Sequence, residues 1–123
     1  MPAGAIVGRV SREPEHILDR LQGVIRARRE AAPETSYVAR LLDEGHAAIA
    51  AKVQEESEEL IEAAASGDRK ATAHEAADLF FHAMVLLEHA GVGPEQVFAE
   101  LEGRFGTSGL VEKASRGSSA KAE

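Results

Sequence analysis

Ile17, Leu18, Leu21, Val24 and Ile25 recur at spacings of three and four. That is the period of an amphipathic helix, and it predicts one from about Pro14 to about Ala31. The other side of this helix carries Arg20, Arg26, Arg28 and Arg29. Pro33 interrupts the pattern, and Thr35 or Ser36 can cap a short helix that runs through Leu42 and stops at Gly45. From His46 one long helix is predicted to about Ser66, where Gly67 and Asp68 supply a C-terminal glycine and the N-cap of the next helix, Arg69 to His89. Gly91-Val92-Gly93-Pro94-Glu95 ends that helix and starts a last one, Pro94 to Phe105, with proline at its first position and an acid near its positive end. No stretch alternates with period two, no repeat recurs, and no Gly-rich phosphate loop is present. The predicted fold class is all-α, helices packed on helices.

Composition narrows this picture. The 123 residues amount to one domain, with three expected segments: a flexible N-terminus over 1–13, the helical domain over 14–105, and a mostly mobile tail over 106–123, rich in Gly, Ser, Ala and Lys. Four Phe, one Tyr and no Trp leave the core to Leu, Ile, Val and Ala, which suits closely packed helices. The helix around Phe80 and Phe81 is apolar nearly all round, and other faces are rich in Ala. One chain offers too little cover for that surface, so a homodimer is expected to complete the bundle. The absence of Cys excludes disulfides, thiolate zinc sites and cysteine nucleophiles. No apolar run approaches the ~20 residues of a membrane span, and a cytoplasmic protein is expected. A net charge of −7 argues against non-specific nucleic-acid binding. An anionic ligand would have to be held by a few placed cations or by bridging divalent metal.

Candidate chemistry lies in two acidic stretches. Residues 52–62 read Lys-Val-Gln-Glu-Glu-Ser-Glu-Glu-Leu-Ile-Glu. At about 100° per residue, Lys52, Glu55, Glu59 and Glu62 share one stripe, while Glu56 falls at the border of the apolar stripe and should point toward the packing interface. Alone, this stretch is an ordinary solvated face with Lys52 paired to Glu55 or Glu56. The second stretch changes the balance. Glu75, Asp78 and His82 share a stripe with Leu79, Val85 and Leu86 on the nearly all-apolar helix and should face inward. A buried carboxylate must be protonated, paired or metal-bound, and Lys and Arg are absent between Lys70 and Arg104. A hard divalent cation held by oxygen is the economical explanation. His82 is expected to be a hydrogen-bonded neighbour of the Asp78 carboxylate, one turn earlier, rather than a ligand. His16, His46, His74 and His89 share no evident constellation and are expected at the surface or at caps.

The pattern Glu55-Glu56-x-x-Glu59, fifteen intervening residues, Glu75-x-x-Asp78 resembles the signature of the all-α, MazG-like nucleotide pyrophosphohydrolases. Arg28-Arg29, Ser36-Tyr37 with Leu41 and Gly45, Lys52, and Ala77-Asp78-Leu79 with His82 bring the resemblance closest to the phosphoribosyl-ATP pyrophosphatase branch, over about Ile17 to Arg116. The chain departs from the pattern at Val38, where Thr is frequent, and at Gln54, where Gly is common. The resemblance implies Mg²⁺-dependent hydrolysis between the α and β phosphates of phosphoribosyl-ATP, a step of histidine biosynthesis. It carries metal binding over to Glu56, Glu59, Glu75 and Asp78, with Glu55 either a further ligand or the base that orients water. Lys52 is then the first candidate for a phosphate contact, followed by Arg28, Arg29 and Arg40. Ser36 and Tyr37 complete the substrate-binding set, although Ser36 could equally cap a helix and Tyr37 could equally belong to the core. Two rival readings are an enzyme of the same superfamily acting on canonical or modified nucleoside triphosphates, and a non-enzymatic helical dimerisation module. A carboxylate-bridged di-iron bundle would need two Glu-x-x-His motifs on core helices, whereas the chain has only Glu13 to His16, interrupted by Pro14.

Overall fold

Ser36 begins the second helix as the spacing suggests: its hydroxyl accepts a hydrogen bond from the Ala39 N–H at 3.1 Å. The computed structural model describes residues 17–105, and these contain five helices and no strand. They are α1 over residues 17–28, α2 Tyr37–Glu44, α3 His46–Ser66, α4 Arg69–Ala90 and α5 Pro94–Glu102. The fold class is all-α, as expected, and the helix ends fall close to the predicted ones. The first and last helices each end about three residues early, because residues 29–30 and 103–105 form turns, and the predicted start of the first at Pro14 lies outside the described residues. The expected N-terminal segment 1–13 and tail 106–123 lie outside the described residues.

Two residues reverse the chain between the long helices. Gly67 sits in the left-handed region at φ 81°, which a side chain would disfavour, and its N–H closes onto the Ala64 carbonyl. Asp68 then caps α4, its carboxylate accepting from the Ala71 N–H at 3.0 Å. So tight a turn folds α3 and α4 into a helical hairpin, whose contact exceeds that of α2 with either helix.

The core lies at the open end of this hairpin. Ile25 of α1, Val38 and Leu41 of α2, Ile49 of α3, and Met84 and Val85 of α4 are buried together, with Leu18, Leu21, Leu42, Phe81, Leu86 and Leu87 packed around them. Each such side chain, fully buried, contributes about 1.5–3 kcal/mol, so the core is modest and sits at one end. As expected of a helix with more apolar surface than one chain can cover, α4 is not buried all round. Phe80 is 57% exposed, and so are Ile61 of α3 at 67% and, in part, Val24, Val97 and Leu101.

A second fastening joins α1 to α4. The buried carboxylate of Glu88 accepts from Arg26 Nε at 3.1 Å and from Arg29 Nη1. These arginines are therefore not simply solvated: Arg26 in α1 and Arg29 in the turn just after it neutralise an acid that lies inside.

Candidate metal centre

Because the hairpin turns at Gly67, residues equally distant from that glycine stand roughly opposite one another. Glu59 and Glu75 lie eight residues from it, Glu56 and Asp78 eleven. The turn thus brings two pairs of acids from opposite helices into one place, between the apolar core and the turn. One carboxylate oxygen each from Glu56, Glu75 and Asp78 lie within 4.8 Å of one another. Glu59 lies against Glu75, and these two acceptors can share a hydrogen bond only if one of them is protonated. Glu56 is buried, as its place at the stripe border predicts, while Asp78 is more open than expected, its side chain 42% exposed.

Electrostatics in this cluster are unfavourable without a cation. Glu56 Oε1 and Glu75 Oε1 are both buried with no hydrogen-bond partner among the described residues. Burial, and next the charges of Glu59 and Asp78, push the Glu56 carboxyl above the ordinary glutamate value of 4.5, while Lys52 offsets part of the effect. Burial and then the adjacent Glu59 push Glu75 the same way. An acid whose pKa is raised on folding contributes stability that is fully present below its unfolded pKa and is lost as pH rises through the folded one. In chelator, the melting temperature is therefore expected to rise as pH is lowered from about 7.5 toward the ordinary glutamate range near 4.5. Saturating Mg²⁺ should flatten or invert this slope, because protons and metal compete for the same oxygens. A metal-free melting temperature that falls steadily over that range would contradict the account.

Around the cluster the other candidate residues separate. Glu55 points away, 52% exposed, and accepts from Lys52 Nζ at 3.1 Å. That bond, ahead of nearby charges, holds the Lys52 pKa above its usual value. Tyr37 stands beside Lys52 and Glu56, its hydroxyl pKa raised chiefly by burial, and the Arg40 guanidinium lies 5.5 Å from its ring centroid. Ser36 is buried and occupied as the α2 cap. Arg28 is exposed on α1, and Arg29 is engaged with Glu88, ten residues along α4 from Asp78, or about 15 Å at about 1.5 Å per residue.

One histidine assignment is corrected, and a second histidine, His74, exposed as expected, has a partner. His82 is buried, but its Nδ1 meets the main-chain carbonyl of Asp78 at 2.9 Å, not the carboxylate, and its Nε2 meets Tyr37 Oη at 2.7 Å. The Asp78 carboxylate instead lies 3.4 Å from His74 Nε2, one turn earlier on the exposed side. The i, i+4 spacing of His74 and Asp78 was available in the sequence. The partners of Glu88 were not, because they come from a helix some sixty positions away.

All four clustered side chains offer oxygen, two of those oxygens are buried without a partner, and no Lys or Arg pairs with Glu56, Glu75 or Asp78 among the described residues. This donor set fits a hard divalent cation. Comparison with known proteins is consistent. The profile of the phosphoribosyl-ATP pyrophosphohydrolase family matches residues 18–105. The chain is 56% identical over 99 residues to the phosphoribosyl-ATP pyrophosphatase of Rhizorhabdus wittichii, covering 80% of this chain and 93% of the relative. It is 57% identical over 99 residues to that of Methylibium petroleiphilum, covering 80% and 82%. It is 45% identical over 104 residues to that of Geobacter metallireducens, covering 85% and 95%. With its four helical acids in register and the family profile matched from α1 to the end of α5, the chain belongs to the phosphoribosyl-ATP pyrophosphohydrolase family.

Proposed function

We propose that this chain hydrolyses phosphoribosyl-ATP to phosphoribosyl-AMP and pyrophosphate in histidine biosynthesis, with Mg²⁺ as its metal. The observation that carries this reading is the cluster of Glu56, Glu75 and Asp78, with its two orphaned buried oxygens, in a chain of this family. When bound, Mg²⁺ shields the polyphosphate and makes water a better nucleophile. The protein's part is to hold and orient. Glu56, Glu75 and Asp78 would hold the metal, with Glu59 completing the set from its place against Glu75. Glu55, turned outward and bonded to Lys52, is better placed to steer water or to hold that lysine than to be a ligand. Lys52 would meet the phosphates at the edge of the cluster, with Arg40 behind Tyr37. Arg28 remains a candidate for the outer part of the substrate. Arg29 would serve there only by sharing its guanidinium with Glu88.

The assay that tests this reading supplies purified protein with Mg²⁺ and either phosphoribosyl-ATP or a panel of ordinary and modified nucleoside triphosphates. Pyrophosphate release is expected only, or much faster, from the first. A preference for ordinary triphosphates would transfer the chemistry to another substrate. No turnover and no Mg²⁺ binding would leave a helical dimerisation module.

Homodimerisation belongs to the same reading. Phe80 and Ile61 on the hairpin, with Val97 and Leu101 on α5, are apolar and exposed in one chain. Light scattering at micromolar concentration is expected to give twice the 13.1 kDa chain mass, and a stable monomer would contradict this. No helix among the described residues is long and apolar enough to cross a membrane, and the cytoplasm, where nucleotide substrates are made, is the proposed location.

A further inference from the structure

His82 stands fifteen residues after Gly67, as Lys52 stands fifteen before it, so the hairpin sets the two roughly opposite each other. It is a buried polar side chain outside the carboxylate cluster, and both ring nitrogens are engaged. Nδ1 faces the Asp78 carbonyl oxygen, which can only accept, so Nδ1 carries the hydrogen. In the neutral ring Nε2 is then an acceptor, and the Tyr37 hydroxyl donates to it. Edge-on contacts from Phe81, with ring centroids 5.1 Å apart, and from Tyr37, at 5.7 Å, fix the plane of the imidazole.

With its only hydrogen committed to His82, the Tyr37 oxygen has lone pairs alone to offer anything else. The charged groups around that hydroxyl are Lys52, Glu56, Arg40 and Glu55. Of these, only the two cations can donate to it. The tyrosine ring cannot easily turn away, because it stacks on Phe81 at 6.3 Å and 16°, lies under the Arg40 guanidinium, and belongs to the first residue of α2, directly after the Ser36 cap. Lys52 already gives one of its three ammonium hydrogens to Glu55. A second, given to Tyr37, would fix the ammonium and leave the third for an incoming phosphate oxygen.

We propose that His82 and Tyr37 are positioning residues: His82 turns the Tyr37 hydroxyl so that its oxygen presents lone pairs to Lys52, holding that ammonium at the edge of the carboxylate cluster to meet a phosphate of the substrate. This rests on the reading above for the identity of the substrate, but not for the hydrogen-bond chain.

Tyr37→Phe removes one oxygen and keeps the ring stack. It is expected to weaken binding of Mg²⁺-pyrophosphate, measured by calorimetry, about tenfold, the scale of one charged hydrogen bond. KM for phosphoribosyl-ATP should rise by a similar factor with kcat changed far less and Mg²⁺ affinity near the parent's, while the melting temperature should fall by several degrees because the buried His82 Nε2 loses its donor. His82→Leu should weaken pyrophosphate binding by a similar factor in the parent but add little in the Tyr37→Phe background, and His82→Gln, which can accept from Tyr37, should restore much of it. Nitrogen chemical shifts of His82 at neutral pH should report the Nδ1–H tautomer. A Nε2–H tautomer, parental pyrophosphate affinity in Tyr37→Phe, or effects of the two substitutions that simply add would each overturn the proposal. Failure of the substrate assignment would show separately, as a parent protein that binds Mg²⁺-pyrophosphate yet does not cleave phosphoribosyl-ATP.

Discussion

Replacing Glu56 with Gln is expected to lower pyrophosphate release about 100- to 1,000-fold, the scale seen when one preorganised partner of developing charge is lost, without weakening the metal-free fold. The carboxylate is buried, one of its oxygens has no partner, and its neighbours are Glu59, Glu75 and Asp78. In the absence of a cation its charge opposes folding, as the raised pKa records. Glutamine keeps the shape, drops the charge, and offers an N–H₂ that the neighbouring carboxylates can accept. In chelator the variant should therefore melt at the parent's temperature or higher. Mg²⁺ at a hundred times its dissociation constant should stabilise the parent by about 2.7 kcal/mol and the variant by much less. Asp78→Asn should lose turnover and the Mg²⁺ shift in the same way, with less change in chelator because that side chain is partly exposed. Thermal melts in chelator and in excess Mg²⁺, run beside the activity assay, separate a ligand from a structural acid. A variant that melts lower in chelator yet keeps the full Mg²⁺ shift would falsify the metal-site reading.

Much of this site was legible because helical periodicity is a local property. The three-and-four spacing of apolar residues gave α1, and Gly67-Asp68 and Gly91 to Glu95 marked the boundaries of α3, α4 and α5. The border position of Glu56 correctly foretold its burial. With the turn fixed at Gly67, the facing of Glu59 with Glu75 and of Glu56 with Asp78 also follows from counting, since an antiparallel hairpin pairs residues equidistant from its turn. What escaped depends on choices that periodicity does not make. A histidine beside an aspartate one turn earlier can bond its carboxylate or its carbonyl, and His82 takes the carbonyl because its other nitrogen must reach Tyr37 on α2. The excess of apolar surface around Phe80 was legible from composition, but which of its residues stays uncovered was not, since an all-apolar helix looks the same from every side. Glu88 was invisible as a buried acid because its two cations come from α1 and the turn after it, across a tertiary contact.

Glu88 leads to the second large effect, which is one of stability and depends on which partner is removed. Glu88→Gln is expected to cost about 2 kcal/mol, below the sum of two charged hydrogen bonds, because Arg26 and Arg29 are roughly half exposed, at 58% and 50%, and can return to water. Removing both arginines as Arg26→Leu with Arg29→Leu should cost more, about 3–5 kcal/mol, because a buried carboxylate then has no partner. At about 4–8 °C per kcal/mol for a domain of this size, the double variant should melt well over ten degrees below the parent. Adding Glu88→Leu to it should recover part of the loss by removing the orphaned charge. Throughout, the Mg²⁺-induced shift should persist, since Glu88 lies ten residues along α4 from Asp78. Were Arg29 instead chiefly a ligand for substrate phosphate, Arg29→Leu would raise KM at nearly unchanged stability. Urea titration of the single, double and triple variants, beside their KM values, distinguishes a fastening of α1 from a binding arginine. A double variant as stable as the parent would place the work of these arginines in the substrate rather than in the fold.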